Sequence, residues 1–288
     1  MLVTGASNGI GRETAITLAK EGHKVIIHGR NAERTQAVYD EIAELVDENN
    51  VDQYIADLSL KSEVKKLADN IKSKYKQLDV LINNAGGQFG KYREVTSEGH
   101  EKTMAINIIA PFLLTYELLD ILKESHSARV VTVSSSSYSM SGQAPLNDIE
   151  LEHNYSMAKA YAYSKRYIIW IMKHFPKLVY QKGIDNITFN ITEPGSADTG
   201  LGRVSTQDTY MKYLYKLWKP MMWSTEKAAA TNIYLATSPN VEGVTGKFFG
   251  NKKEKRIKPK YYSVEAENII WDYCMNVTEK FRNLKCSY

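Results

Sequence analysis

Stretches patterned as strands alternate with stretches patterned as helices along this chain, and the first strand runs straight into a glycine-rich turn. Leu2-Val3-Thr4 reads as the end of a buried strand. Gly5-Ala-Ser-Asn-Gly9-Ile-Gly11 follows as the turn, and Ala15, Ile16, Leu18 and Ala19 form the apolar stripe of the next helix. Val25 to His28, Gln53 to Ala56, Val80 to Ile82, Arg129 to Val133, Ile187 to Ile191 and Gly246 to Phe249 have the short apolar runs of further strands. Ala32 to Val46, Val64 to Tyr75, Lys102 to Leu122 and Tyr155 to Phe175 read as helices. This alternation predicts an α/β fold, a doubly wound parallel sheet of about seven strands with helices on both faces. Ligands of such sheets bind outside the carboxyl ends of the strands. A glycine-rich turn there lets backbone approach a pyrophosphate, and the helix that follows offers N–H groups and the positive end of its dipole.

Composition narrows the class. The 288 residues are 43% hydrophobic and 24% charged, ordinary for a globular chain. No Pro/Gly/Ser-rich linker or internal repeat divides them, so one domain over 1–288 is expected. The net charge of +4 is modest. Its densest basic run, Lys252 to Lys260, has no base-reading motif, so a solvated loop is expected and nucleic acid is not. Cys274 and Cys286 cannot build a disulfide framework, which fits a reducing, cytoplasmic setting. No stretch approaches 18 apolar residues, and no signal peptide is expected ahead of Leu2. Only Met1 and Leu2 precede Val3, so either the first strand is short or the start lies upstream. The six His and the cysteines form no zinc-like spacing, so no metal is expected.

Tyr161-Ala-Tyr-Ser-Lys165 places a phenol and an ammonium one helical turn apart on one face. A lysine beside a tyrosine favours the phenolate and lowers a pKa of about 10, making a usable general acid or base. With 19 tyrosines the spacing alone is weak, and Tyr155-Ser-Met-Ala-Lys159 repeats it. The four blocks together are specific. Thr4 to Gly11, Asn83-Asn84-Ala85-Gly86, serines closing a strand at Ser134 to Ser137, and Tyr161 with Lys165 resemble, in order and distance, the short-chain dehydrogenase/reductase family. The resemblance runs from Leu2 to about Cys274. The segment Ser238 to Phe249 is most similar to the retinol-dehydrogenase-type branch.

The resemblance implies a Rossmann-like domain and a role for each block. Tyr161 would be the acid, Lys165 its partner and ribose ligand, and Asn107 the asparagine that completes a tetrad through a water. In the family the second serine after the strand touches the substrate oxygen, which points to Ser135 with Ser134 and Ser136 as alternatives. Tyr161 follows Ser135 by 26 positions, which suits the branch. Tyr161 also matches its A-Y-x-x-S-K pattern; Tyr155 and Tyr163 are read as packing or pocket lining. Cofactor contacts are expected from Gly5, Ser7, Asn8, Gly9, Ile10 and Gly11 in the turn, from Asp57 and Leu58 at the adenine, and from Asn84, Ala85 and Gly86. Pro194, Gly195 and Thr199 are expected at the nicotinamide. Glu193 stands where the branch often has His.

Cofactor preference is read from the end of the second strand. An acid there accepts from the ribose 2′-OH and repels a 2′-phosphate. Gly29 stands where NAD-preferring members carry Asp, and Arg30 follows, whose guanidinium can pair with a phosphate. NADP(H) is therefore expected ahead of NAD(H). Residues 196–225 are expected to form a substrate lid. Tyr210, Met211, Tyr213, Leu214, Tyr215, Leu217, Trp218, Met221 and Met222 there have helical spacing and suit a lipophilic carbonyl or alcohol. A helix packed on the core or on a second subunit is the competing reading, so a homodimer stays open. With Lys212, Lys216 and Lys219 interleaved, peripheral membrane contact is a third. The expected activity is hydride transfer between NADP(H) and an aldehyde, ketone, retinoid-like or steroid-like substrate. The alternative is a catalytically silent cofactor-bound sensor or scaffold; a sugar-nucleotide epimerase fits the glycine spacing less well.

Overall fold

The computed structural model describes residues 1–195, 223–258 and 261–282. Strand β1 (Leu2–Val3) leads to helix α1 (Gly9–Lys20), β2 (Val25–Gly29), α2 (Ala32–Leu45), β3 (Val51–Ile55), α3 (Lys61–Lys74) and β4 (Val80–Asn83). Next come α4 (Lys102–Leu122), β5 (Ala128–Val133), α5 (Met157–Gln181), β6 (Ile187–Glu193) and α6 (Thr225–Thr237). Strands β7 (Phe248–Gly250) and β8 (Lys253–Lys255) and helix α7 (Val264–Thr278) complete the described elements.

The sheet runs β3-β2-β1-β4-β5-β6-β7-β8. The chain winds outward from β1 to β3, then returns to β4 on the other side of β1. The strand order therefore reverses between β1 and β4, with Leu2 beside Leu81 and Val3 beside Ile82. A crevice opens at such a reversal, and it is where ligands of these sheets bind. Alternating side chains supply both faces. Leu2, Ile26, Leu81, Val130 and Phe189 pack toward α3, α4, α5 and α7. Val3, Ile27, Ile82 and Val131 pack toward α1, α2 and α6.

Three expectations change. The basic run is not only a solvated loop. Asn251 and Lys252 both have positive φ, 53° and 60°, the backbone of a tight two-residue hairpin turn. That turn folds Lys253–Lys255 back as an eighth, antiparallel strand, with Gly250 opposite Lys253. Helix α5 starts at Met157, because Ser156 caps it by accepting from the Lys159 N–H at 3.2 Å. It then runs through Pro176, whose missing N–H is outweighed by buried Phe175 and Val179 on either side. Finally, Lys102–Leu122 is long and apolar enough to cross a membrane by length and composition, although 94% of its apolar window is buried inside the protein.

Candidate active site

The turn after β1 is closed by contacts that only glycine permits. Gly5 has φ +65°, and a Cβ on it would stand 2.8 Å from Ala85 Cα. A Cβ on Gly11 would stand 2.3 Å from the Gly5 carbonyl oxygen. Thr4 and Asn84 tie the turn to β4. The Thr4 hydroxyl accepts from the N–H groups of Asn84 and Ala85, both at 3.0 Å, and Asn84 Nδ2 donates to the Thr4 carbonyl at 2.9 Å. Helix α1 begins at Gly9 with Asn8 as N-cap, and the Asn8 side chain makes no capping bond. Ser7 and Gly9 are partly exposed at that end, and Ile10 is buried behind it. Uncapped N–H groups, a dipole end and a cradle that any Cβ would fill match the needs of a pyrophosphate.

The ribose end differs from its sequence reading in one respect. A Cβ on Gly29 would lie 2.1 Å from Thr35 Oγ1 and 3.0 Å from Ser7 Cβ. Thr35 is buried, and its hydroxyl donates to the Asn31 carbonyl at 2.7 Å. The missing acid is thus a matter of space as well as charge. Arg30 is exposed and lines a cleft of about 280 Å³ with Asp57, Ser59, Glu94, Val95 and Lys102. Asp57 spends Oδ1 on the Ser59 N–H at 2.9 Å, so it shapes its own turn. Leu58 is buried beside it.

Asn107, Ser135, Tyr161 and Lys165 come together at the carboxyl ends of β4 and β5. Asn107 lies in a π-helical turn, Ala105–Ile109, inside α4; such one-residue bulges re-aim a side chain and gather at functional sites. Its amide clamps the Gly87 backbone, accepting from the N–H and donating to the carbonyl, both at 2.9 Å. It also donates to Ser164 Oγ at 2.9 Å, and Ser164 in turn donates to the Tyr161 carbonyl at 2.8 Å. Lys165 is buried and donates to the Val133 carbonyl at 3.0 Å. A Cβ on Gly86 would stand 3.1 Å from Lys165 Nζ and 3.2 Å from Asn107 Oδ1, so this glycine admits both groups.

The three serines are separated by their surroundings. Ser134 is buried and gives its hydroxyl to the Lys165 carbonyl at 2.7 Å. Ser136 is exposed. Ser135 faces the Tyr161 phenol and pulls that pKa down against a larger upward push from burial. The net shift is upward, contrary to the sequence expectation that Lys165 lowers it. The ammonium lies 5.7 Å from the centre of the Tyr161 ring and is itself desolvated, its pKa lowered from 10.5 to about 8. The group acting on the phenol is Ser135. Tyr155 and Tyr163 are spent elsewhere, donating to the carbonyls of Gly90 and Gln143, each at 3.1 Å.

Sequence reasoning passed over one residue near the site and the partner of another. Arg166 is buried and collects backbone carbonyls, with Nε to Tyr138 at 3.0 Å, Nη1 to Gly142 and Nη2 to Ser141, both at 2.7 Å. The rings of Tyr163 and Tyr261 lie 5.8 and 5.1 Å from its guanidinium. Its only signal was a charge directly after Lys165. The partner is Lys255 of β8, paired with Glu193, which is nearly buried at the end of β6. The odd residue before Pro194 therefore came with its own counter-charge. Gly195 has φ +74°, and Trp223 fills the space a Cβ would need, 2.7 Å away. Thr199 and the lid positions up to Met222 lie outside the described residues, as does Cys286.

A family model described as short chain dehydrogenase matches residues 1–209. Human polyprenol dehydrogenase is 33% identical over 282 residues, covering 96% of this chain and 84% of that one. Human retinol dehydrogenase 14 is 33% identical over 286 residues, covering 94% and 84%. Among solved structures, the RhlG protein of Pseudomonas aeruginosa in an active-site complex with NADP aligns with a TM-score of 0.68. It is 27% identical, over 86% of this chain and 93% of that one.

Proposed function

The chain belongs to the short-chain dehydrogenase/reductase family, in its retinol-dehydrogenase-like branch, and is an oxidoreductase with a nicotinamide cofactor; on that footing we propose that it transfers a hydride between NADP(H) and a lipophilic alcohol or aldehyde of isoprenoid type. The observation that carries the reading is the convergence of Tyr161, buried Lys165 and Asn107, with Ser135 acting on the phenol, at the crevice where the strand order reverses. The substrate class is supported by relatives named for polyprenol and retinol. The NADP(H) preference is supported by exposed Arg30 and by a Gly29 site that has no room for an acid.

When bound, the cofactor supplies or takes the hydride. The chain's own residues handle charge and protons. The hydroxyls of Ser135 and Tyr161 would both donate to the carbonyl oxygen, where negative charge develops. Tyr161 would release its proton to that oxygen. An ammonium at Lys165 would steady the phenolate left behind and hold the ribose. The upward shift keeps the phenol protonated at neutral pH, the form in which it can serve as the proton donor. Asn107 would hold the end of a proton path to Lys165 through a water. Glycines 5 and 11 and the open end of α1 would seat the pyrophosphate, and Arg30 the 2′-phosphate.

The test is NADPH oxidation, and NADP reduction in reverse, against all-trans-retinal, a polyprenal, a steroid ketone and a small aldehyde with their alcohols. Turnover with the isoprenoid compounds well above that with the steroid and the small aldehyde is expected. Cofactor binding with no turnover on any substrate would instead favour a silent sensor.

A further inference from the structure

His28 joins the ends of three neighbouring strands beneath the glycine turn. It is buried in β2, 2% exposed. Its Nδ1 faces the Gly5 N–H at 3.3 Å, and its Nε2 faces the Ala56 carbonyl at 3.1 Å. Its own carbonyl accepts from the Ala6 N–H at 2.8 Å. Ring and backbone of one residue thus take the first two N–H groups of the turn that follows β1. The ring also anchors the residue just beyond β3, and Ala56 donates to the neighbouring Gly29 carbonyl at 3.2 Å. A carbonyl can only accept and an N–H can only donate, so both bonds exist together in one tautomer, with the proton on Nε2 and Nδ1 bare.

The charged and titratable surroundings leave that tautomer undisturbed. Asp57 is the charged group that acts on the ring. Apolar Val3, Ala6, Val38 and Ile42 lie in the core that β2 shares with β1, α1 and α2. Burial holds the pKa down near 4, so the ring is neutral through the physiological range. Neither α1 nor Asn8 holds the start of the turn, since α1 begins only at Gly9 and Asn8 makes no side-chain cap. Gly5, with its positive φ, has no side chain to pack. The start of the turn therefore depends on bonds from outside it, and the His28 ring supplies one.

We propose that His28 is a positioning residue for the cofactor: it presents a bare Nδ1 to the Gly5 N–H and so fixes where the pyrophosphate turn starts, while its bond to Ala56 serves to hold the ring in the Nε2–H tautomer. This deepens the NADP(H) reading and rests on it. His28 touches no reacting atom, so its removal acts on cofactor affinity and not on the hydride step. Asn is the discriminating replacement. Its Oδ1 sits where Nδ1 does and can accept from Gly5, but the side chain is too short to reach Ala56.

The experiment measures NADPH affinity by cofactor fluorescence, with KM for NADPH and kcat, in wild type, His28→Leu and His28→Asn, together with melting curves. The His28→Leu variant leaves a partly buried N–H without its acceptor, and a rise of about tenfold in Kd and KM for NADPH is expected, with kcat at saturating NADPH within about twofold. The His28→Asn variant is expected within about threefold of wild type in Kd. In wild type at pH 7, ring nitrogen shifts assigned by the signal missing from His28→Asn are expected to show Nε2 protonated and Nδ1 bare. Unchanged affinity in His28→Leu with only a lower melting temperature, affinity in His28→Asn as poor as in Leu, or an Nδ1–H tautomer would each overturn the proposal. If His28→Leu does not fold, the Asn variant and the tautomer decide. Wild type that binds no NADPH would overturn the cofactor reading itself.

Discussion

The two sides of the crevice are built by different means. On the β1–β3 side main chain approaches main chain, Gly11 against the Gly5 carbonyl and Gly5 against Ala85, and the side chains that help, Thr4, Asn84 and His28, bond only to backbone nearby. On the β5–β8 side long side chains reach across loops: Arg166 to three carbonyls, Lys255 to Glu193, and His100 and Tyr273 to Glu150. A backbone contact can be made in few ways and leaves a spacing of glycines in the sequence. A side-chain anchor can be replaced by another of similar reach, so it leaves almost none. The difference suits the ligands proposed for each side, a constant pyrophosphate on one and a variable substrate on the other.

The largest effect should come from the phenol. Tyr161→Phe is expected to lower kcat by about a thousandfold or more while NADPH binding persists, whereas Tyr155→Phe, whose hydroxyl serves Gly90, keeps most activity. Steady-state kinetics on both variants would reveal a reversal, which would reassign the motif. Next is Arg30→Ala, which should cost roughly ten- to a hundredfold in NADPH affinity and little in NADH affinity. An unchanged ratio between the two cofactors would remove Arg30 from the phosphate site.

A sharper probe of the backbone-built side is Gly29→Asp. Because a Cβ there meets Thr35 Oγ1 at 2.1 Å, the single change should weaken both cofactors and not produce an NADH enzyme. Adding Thr35→Ala makes room, and the double variant should recover NADH binding by about tenfold over the single one. Equal NADH affinity in single and double variants would show that the crowding is unimportant.

The smallest effect separates scaffold from site on the side-chain-built half. Glu267 in α7 is buried and accepts from Tyr262, His174 and Lys177, and its pKa is lowered from 4.5 to about 2. A depressed carboxylate stabilises the fold above its unfolded pKa, and that contribution is lost as pH falls from 4.5 toward 2. The difference amounts to at most about 3 kcal/mol, and exposure of Lys177, 51%, trims it to about 2 kcal/mol. Urea titrations of wild type and Glu267→Gln should therefore differ at pH 7 and converge toward pH 2, with cofactor affinity equal at pH 7. A constant gap across that range would point to packing instead of charge.

Legibility in the sequence followed the same division. The parallel order, the turn and the strand-end placement of the motifs could be read, because periodicity and glycine spacing report on backbone. Strand β8 could not, since Lys253-Glu-Lys has no apolar alternation and its only trace was Asn251 at a turn needing positive φ. The helical run beyond Phe175 was hidden by Pro176, a local penalty that tertiary packing overrides. Asn107 was visible as a polar residue in an apolar helix, but not the π turn that aims it. The choice among Ser134, Ser135 and Ser136 needed burial and partners, which no spacing contains. Arg166 and His28 were passed over because each reads as an ordinary residue beside a motif.

The Arg166 anchor has a consequence for how this protein can change over generations. Its guanidinium holds the loop after β5 by the carbonyls of Tyr138, Ser141 and Gly142, atoms that every amino acid shares. Among those positions Ser141 is partly exposed and Gly142 exposed, as are their neighbours Met140 and Gln143. Mutation can therefore alter what this loop presents at the surface while the carbonyl bonds that hold it remain. On the function proposed above, such an arrangement would let the range of accepted molecules drift while Ser135, a few residues upstream, stayed in register with Tyr161.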